Sequence, residues 1–163
     1  NLRYYCSDYR LLKTDAVPVA LRTAYERGFD VVVSLETIEH LPDPADLVRV
    51  LHAGLRPGGI LIASVPVTPS MDANPFHLQD FSARTFRKML VACGFEPLET
   101  IVQRQPFNPV TIRNDMAQSK RTNLRGNLAG YYATHPGKLL LRLYATVRFG
   151  FVNIYHVVIA RKR

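Results

Sequence analysis

The chain has 163 residues, of which 47% are hydrophobic, enough for the core of one domain. No apolar run approaches the roughly 18 residues of a transmembrane helix, and Asn1 does not begin a signal peptide. The net charge of +8 arises in the second half, where residues 81–163 hold 14 Lys and Arg against 3 Asp and Glu. This surplus indicates either a solvated surface or an anionic partner: a nucleic acid, a phosphate or a lipid headgroup.

The two cysteines, Cys6 and Cys93, have neither the spacing of a metal site nor that of a redox motif. We therefore expect two reduced thiols, as in a cytoplasmic protein. Because the sequence begins at Asn1 and not at a methionine, we also expect it to be a segment of a longer protein.

Short apolar strands alternate with helices in the first half of the chain. Residues 2–6 and 31–33 predict two strands, and the second, being wholly apolar, is typical of a parallel strand buried on both faces. Asp43 followed by Pro44 predicts the start of a helix, because aspartate caps the first turn and proline fits into it. Gly54 is the expected end of that helix.

The alternation continues beyond this helix. Residues 60–65 predict another buried strand, and Ser82 is expected to cap a helix that ends near Gly94. Residues 97–103 and 152–160 are rich in strand-forming residues and predict two more strands. Strands that alternate with short helices predict an α/β sheet.

Residues 105–150 interrupt this alternation as a long basic insert between the last two predicted strands. Inserts of this length are usually functional or disordered. A helix over residues 138–148 is expected to turn Lys138 and Arg142 outward. The residues expected to face the domain are Leu139, Leu140, Leu143 and Val147. The insert would then be a lid or docking arm, or a helix that only covers the sheet.

Two stretches of the sequence carry a family resemblance. Residues 29–44 have the sequence FDVVVSLETIEHLPDP, and residues 55–66 have the sequence LRPGGILIASVP. Together they resemble the second half of a class I S-adenosylmethionine (SAM) methyltransferase. The resemblance covers residues 1–104 and 151–163. It implies a Rossmann-like α/β sheet with the strand order 3-2-1-4-5-7-6, in which the seventh strand is antiparallel.

The resemblance matches the five predicted strands to the third through the seventh strands of that fold, in chain order. The first two strands and the Gly-rich loop that grips SAM have no counterpart in this sequence. Gly58 and Gly59 do not replace the loop, because they precede a strand instead of opening a helix. We therefore predict a single partial methyltransferase domain over residues 1–163, truncated at its N-terminus and inactive by itself.

The resemblance also assigns four residues to the cofactor SAM. Asp8 matches the acid that accepts a hydrogen bond from the adenine amino group, and Tyr9 would then flank the adenine ring. Ser34 and Leu35 are the other two residues expected to bind the cofactor. For Asp8, the alternative is an ordinary turn residue.

An acidic turn follows the strand at residues 31–33. Glu36, Glu39 and His40 stand at i, i+3 and i+4, so a helical turn would place all three on one face. Two carboxylates and an imidazole are costly to group unless a cation lies among them. Carboxylates alone suit Mg²⁺, whereas an imidazole favours Mn²⁺, Zn²⁺ or Fe²⁺.

The spacing E-x-x-E-H resembles that of plant small-RNA 2′-O-methyltransferases and of ubiquinone-pathway O-methyltransferases. In the small-RNA enzymes a histidine after the fifth strand completes a metal site, which implies His77 as a fourth ligand here. Alternatively, the turn is only the lip of the SAM pocket, and Glu39 and His40 make structural hydrogen bonds.

The leading functional prediction is SAM-dependent O-methylation of a hydroxyl on a sugar, a phenol or an RNA end. The acceptor would be a small molecule or a glycan. Without a metal, His40 or His77 could act as the general base. The alternative is a noncatalytic basic module that binds nucleic acid or an acidic membrane surface through residues 104–163.

Overall fold

The computed structural model describes residues 23, 25–117 and 124–163. The strand predicted at residues 2–6 and the proposed adenine contacts Asp8 and Tyr9 lie outside these residues. Four strands of the described chain form one mixed sheet. They are Phe29–Leu35 (β1), Leu55–Pro66 (β2), Phe95–Pro106 (β3) and Val152–Lys162 (β4).

The strands lie in the order β1-β2-β4-β3. Strands β1 and β2 are parallel, and β4 runs antiparallel to both of its neighbours, β2 and β3. This is the order 4-5-7-6 that the resemblance implies, so the predicted α/β fold class is confirmed. Of the described strands, β1 pairs with β2 alone and therefore lies at the edge of this set.

Helices cover and connect these strands. A one-turn 3-10 helix, Ile38–His40, follows β1. The α-helices are Pro44–Gly54 (α1), Ala83–Ala92 (α2), Pro109–Ala117 (α3), Leu128–Thr134 (α4) and Pro136–Phe149 (α5). None of the described helices combines the length and apolarity needed to cross a membrane.

The predicted helix starts are confirmed by their capping hydrogen bonds. Asp43 Oδ1 accepts a hydrogen bond of 3.0 Å from the Asp46 amide at the start of α1. Ser82 Oγ accepts one of 3.1 Å from the Thr85 amide, and the Thr85 hydroxyl accepts one from the Ser82 amide in return. These bonds satisfy amide groups that have no partner within the helix, and each such cap contributes about 1 kcal/mol.

The core lies where α1 and α2 pack on the sheet. Strand β2 supplies its centre, because Leu61, Ala63 and Val65 are all fully buried. The other fully buried members of the same cluster are Ile38, Val48, Phe86, Leu90, Phe95 and Ala160. The 3-10 helix that carries the acidic turn is thus anchored in the core through Ile38.

The predicted orientation of the insert helix is wrong. Lys138 and Arg142 of α5 face inward and form ion pairs with Asp80 and Asp72. The exposed side chains of α5 include Leu140 (67%), Leu143 (51%) and Val147 (89%). A buried carboxylate without a counter-ion is far more costly than an exposed leucine, so ion pairing decides which face of α5 packs.

Two glycines with positive φ allow a matched test of the connection into β1. Gly28 has φ +78, and a Cβ on it would lie 2.7 Å from the amide nitrogen of Arg56. Gly58 has φ +75, but a Cβ there would contact nothing within 4 Å. We expect Gly58→Ala to cost about 1–2 kcal/mol from backbone strain alone. Gly28→Ala should cost more, because it adds a clash with backbone.

The measurement is the urea midpoint and slope of each variant against wild type. Equal losses for the two variants would contradict a close approach of Gly28 to β2.

Candidate active site

The chain bends sharply where β1 ends. Glu36 has φ +50, a left-handed backbone conformation that is strained for a residue with a side chain. Ser64 of β2 holds this bend, because its Oγ and its carbonyl oxygen accept hydrogen bonds of 3.1 and 3.3 Å from the Glu36 amide. In return, Ser64 Oγ donates a hydrogen bond of 2.6 Å to Glu36 Oε1.

The bend separates Glu36 from the other predicted metal ligands. Helical geometry begins only at Ile38, so the i, i+3, i+4 spacing from Glu36 does not place the three side chains on one helical face. Burial raises the pKa of Glu36, whereas the Ser64 hydrogen bond and nearby His40 lower it by less. Glu36 therefore stands beside the site, bound to β2.

Glu39, His40 and His77 converge. One ligand atom from each side chain lies within 4.8 Å of the others, and this is the group in the described part of the chain that could hold a metal ion. His40 Nε2 is 3.9 Å from Glu39 Oε1. The rings of His40 and His77 meet edge to face, with centroids 4.6 Å apart. The cluster lies beyond the carboxyl ends of β1 and β2, where open α/β sheets bind ligands.

The Glu39 carboxylate is the most unusual group of the cluster. Its side chain is fully buried, and neither oxygen has a hydrogen-bond partner among the described residues. Burial is the largest cause that raises the pKa of Glu39 to about 7; the charge of Glu36 contributes to this rise, and the proximity of the residue's own backbone amide opposes it. A buried carboxylate without partners among the described residues requires an explanation, and a bound cation is one of the few available.

The tautomer of His40 follows from its hydrogen bond. His40 Nδ1 is 3.0 Å from the carbonyl oxygen of Phe76. A carbonyl oxygen only accepts, so Nδ1 carries a proton and donates it. In the neutral ring Nε2 therefore has a free lone pair, and this is the nitrogen that lies near Glu39. Such an outer hydrogen bond is what orients a metal-ligating histidine.

The loop over residues 67–82, between β2 and α2, brings His77 to this cluster. The amides of Leu78 and Gln79 donate hydrogen bonds of 2.8 and 3.1 Å to the Glu39 carbonyl. Burial lowers the pKa of His77, nearby His40 lowers it further, and Asp80 raises it. His77 is therefore neutral near pH 7 and can act as a ligand or as a base.

The other side of this loop is fixed to the insert. Asp72 is 1% exposed and accepts hydrogen bonds from Arg142 Nε at 2.7 Å and from the Tyr132 hydroxyl at 2.6 Å. Burial alone would raise the pKa of Asp72, but the hydrogen bonds from Arg142 and Tyr132 outweigh it and hold that pKa below its usual value. Arg125 Nε also donates a hydrogen bond of 3.1 Å to the Asp72 carbonyl.

Asp80 makes a second connection between the loop and the insert. It accepts hydrogen bonds from the amides of Ser70 and Met71 at 2.9 and 3.1 Å, and one from Lys138 Nζ at 2.6 Å. Burial raises the pKa of Asp80, but the Lys138 and backbone hydrogen bonds lower it by more. The loop is thus held between the acidic turn on one side and α4 and α5 on the other.

The two proposed cofactor residues that the structure describes lie at the carboxyl end of β1. Ser34 is 8% exposed, whereas Leu35 is 51% exposed. Both stand next to the acidic turn, so they are within the region where a ligand of this sheet would bind.

The sequence interpretation missed several residues around the cluster. Burial raises the pKa of Tyr155, and the charges of Glu36 and Glu39 raise it further, which places the Tyr155 hydroxyl in the field of both carboxylates. Ser64, Asp72 and Asp80 were missed because their partners are distant in sequence. A usable signal was the spacing of Lys138 and Arg142, since two cations on one helix face suit two acids on a facing loop.

The donor set fits a divalent transition metal. One carboxylate and two imidazoles, with further positions left open, are ligands that Mn²⁺, Fe²⁺ and Zn²⁺ accept, whereas Mg²⁺ prefers oxygen alone. The orphaned oxygens of Glu39 and the free Nε2 of His40 are the atoms that such an ion would use.

Comparison with known proteins identifies the family. Residues 14–100 match the family described as "Methyltransferase domain", which is more than half of the chain. The chain therefore belongs to this family, and its sheet is that of a class I methyltransferase.

Curated relatives agree with this assignment. The chain is 38% identical over 82 residues to a Mycolicibacterium smegmatis protein named "Probable S-adenosylmethionine-dependent methyltransferase". The aligned segment covers 47% of this chain and 32% of that protein. It is 33% identical over 64 residues to the "Ubiquinone biosynthesis O-methyltransferase" of Coxiella burnetii. This aligned segment covers 39% of this chain and 23% of the Coxiella protein. The matches thus span about a third or less of these relatives.

Solved structures share the fold. A provisionally assigned methyltransferase from Bacillus halodurans C-125 has a TM-score of 0.58 at 20% identity and covers 83% of this chain and 64% of that one. The YcgJ protein from Bacillus subtilis has a TM-score of 0.57 at 15% identity, with the same coverage. At this level of identity the likeness shows the fold alone.

Proposed function

We propose that the protein is a SAM-dependent methyltransferase that methylates a hydroxyl group of a small molecule or glycan. In this proposal Glu39, His40 and His77 hold a divalent cation next to the acceptor. Membership of the methyltransferase domain family supports the reaction class. The name of the Mycolicibacterium smegmatis relative supports SAM as the cofactor.

One observation supports the proposal of a metal ion. The fully buried carboxylate of Glu39, which has no hydrogen-bond partner in the part of the chain that the structure describes, lies beside two imidazole rings, and the free nitrogen of one ring is turned toward it. This arrangement is unfavourable when empty, because a buried charge costs several kcal/mol unless it is paired. A cation among the three side chains removes that cost.

The chemistry needs little more than alignment. Bound SAM supplies an electrophilic methyl group, and a bound divalent cation lowers the pKa of an acceptor hydroxyl. The protein must hold the acceptor oxygen about 3 Å from the methyl carbon and accept its proton. Glu39 and the two histidines would orient the acceptor, and the loop over residues 67–82 would cover the acceptor side. The Coxiella relative is named as an O-methyltransferase, which supports oxygen as the acceptor atom.

A metal-free version rests on the same residues. Burial lowers the pKa of His77, so its ring is a neutral base near pH 7 and could take the proton of the acceptor hydroxyl. The basic-module alternative has less support, because Lys138 and Arg142 are occupied by Asp80 and Asp72 and are not available to an anionic partner.

The test is transfer of labelled methyl from SAM to a catechol by the full-length protein, with and without Mn²⁺. We expect His40→Ala to lower turnover by about 100-fold or more, as expected for loss of an acid–base group or a ligand, and to abolish the response to Mn²⁺. His135→Ala is the matched control, since His135 is exposed at the start of α5. Full activity after exhaustive chelation would leave only the metal-free version.

A further inference from the structure

The Ser70 hydroxyl lies between the imidazole of His77 and the carboxylate of Asp80. Its Oγ is 2.8 Å from His77 Nδ1 and 3.4 Å from Asp80 Oδ1. A hydroxyl has one proton, so it donates to one of these neighbours at a time. That choice decides which nitrogen of the neutral His77 ring carries a proton.

The two arrangements have opposite consequences at the site. If Ser70 donates to Nδ1 of His77, the ring proton lies on Nε2 and blocks that nitrogen. If Ser70 donates to Asp80, its oxygen accepts the Nδ1 proton of His77, and Nε2 keeps its lone pair. The hydrogen bond between Ser70 and His77 is made in both arrangements, so the longer contact of 3.4 Å between Ser70 Oγ and the negatively charged Asp80 carboxylate distinguishes them. The charge of Asp80 therefore favours the second arrangement.

Lys138 connects this group of contacts to the insert. Its Nζ donates a hydrogen bond of 2.6 Å to Asp80 Oδ2, while the backbone amides of Ser70 and Met71 occupy Oδ1. The Asp80 side chain is 17% exposed, so removal of Lys138 leaves a largely buried carboxylate without its counter-ion. The position of Asp80, and with it that of the Ser70 proton, then depends on α5.

We propose that Asp80 is a positioning residue that acts on His77 through the Ser70 hydroxyl, and that Lys138 extends this control to the insert. The inference rests on the proposed function in one respect, that Nε2 of His77 is the nitrogen the site uses. His77 is then held in its competent tautomer before any ligand arrives, as His40 is by the Phe76 carbonyl.

Nitrogen-15 NMR of the metal-free, histidine-labelled full-length protein measures the tautomer, because protonated and unprotonated ring nitrogens have well-separated shifts. His77 is expected to carry its proton on Nδ1. Ser70→Ala removes the bridging hydroxyl and should shift the population toward the Nε2-protonated form. Ser70→Thr keeps a hydroxyl and should restore the wild-type tautomer.

The contribution of the insert is tested with Lys138→Met and its conservative partner Lys138→Arg. Lys138→Met should move the His77 tautomer in the same direction and weaken Mn²⁺ binding by about tenfold, the lower end of the effect of outer-shell partners. Lys138→Arg should retain most of the wild-type behaviour. Arg148→Met is the matched control on the same helix, because the Arg148 guanidinium lies over the Phe149 ring.

Each outcome decides a separate point. A wild-type His77 protonated on Nε2, or a tautomer that Ser70→Ala leaves unchanged, overturns the inference. If Lys138→Met has the wild-type His77 tautomer and the wild-type affinity for Mn²⁺, the role assigned to Lys138 and the insert is overturned. If the tautomer responds as expected but the wild-type protein binds no Mn²⁺, the positioning role stands and the metal of the proposed function is lost.

Discussion

Arg142→Met is expected to destabilise the folded protein by about 3–5 kcal/mol at pH 7, the loss typical of removing one member of a buried ion pair. Arg142 is the counter-ion of Asp72, whose side chain is 1% exposed. The substitution keeps most of the side-chain volume but leaves a buried carboxylate whose partners among the described residues are the Tyr132 hydroxyl and the Ala73 amide. Chemical unfolding of both proteins measures the difference.

The effect should depend on pH in one direction. Because the folded protein holds the pKa of Asp72 below 3.8, the stability that this shift contributes is present above pH 3.8 and is lost as the pH falls through the depressed pKa. In Arg142→Met the burial of Asp72 is no longer offset, so its pKa should rise and its carboxyl should be protonated at acidic pH. The difference in the free energy of unfolding between the two proteins should therefore narrow as the pH falls from the raised pKa of Asp72 in the variant to its depressed pKa in the wild type.

Two further variants separate the ion pair from loss of packing. Asp72→Asn in the Arg142→Met background removes the unpaired charge and should recover part of the lost stability. Arg148→Met removes a partly solvated cation from the same helix and should change the stability by less than about 0.5 kcal/mol. A loss in Arg142→Met that is small, or that does not vary with pH, would show that Asp72 is not buried as described.

The strands were predictable from composition, but their ends were not. The apolar runs at residues 31–33 and 60–65 lie inside β1 and β2. Strand β2 begins before the predicted run, at Leu55, which pairs with Phe29 across an irregularity before Val31. Such an irregularity accommodates Pro57, Gly58 and Gly59 within the strand. The local sequence alone does not distinguish it from a turn.

The position of the site was predictable from one rule, that open α/β sheets bind ligands at the carboxyl ends of their strands. The acidic turn and His77 follow two neighbouring parallel strands, so their meeting at one edge of the sheet could be anticipated. The separation of Glu36 from Glu39, His40 and His77 could not be anticipated, because it depends on a hydrogen bond to Ser64, 28 positions away in the chain. Likewise, the apolar pattern of α5 pointed the wrong way, since the carboxylates that turn Lys138 and Arg142 inward lie on a distant loop.

Glu39→Gln is expected to stabilise the metal-free protein while abolishing metal binding. The pKa of Glu39 is raised from 4.5 to about 7, so its charged form is disfavoured in the folded state. Since the folded protein binds this proton more tightly, stability falls as the pH rises from 4.5 through about 7. The full cost above that range is about 3 kcal/mol, at 1.36 kcal/mol for each pKa unit.

Glutamine has nearly the same shape and no charge, so it escapes this cost. In the absence of metal, Glu39→Gln should be more stable than wild type by about 3 kcal/mol at pH 8 and should differ little at pH 4.5. Glu99→Gln is the matched control, because Glu99 is exposed on β3.

Added Mn²⁺ should reverse the order of the two proteins. A ligand present at 1,000 times its Kd stabilises the folded state by about 4.1 kcal/mol, which exceeds the advantage of about 3 kcal/mol expected for metal-free Glu39→Gln, and only the wild type retains the carboxylate that completes the site. Thermal unfolding at pH 8, with and without Mn²⁺, measures both effects in one experiment. A metal-free Glu39→Gln protein that is less stable than wild type would mean that the carboxylate has a protein partner, and the argument for a cation would then lose its basis. A protein that retains a destabilising buried carboxylate for function should become more stable when the charge is removed, and it should lose binding at the same time.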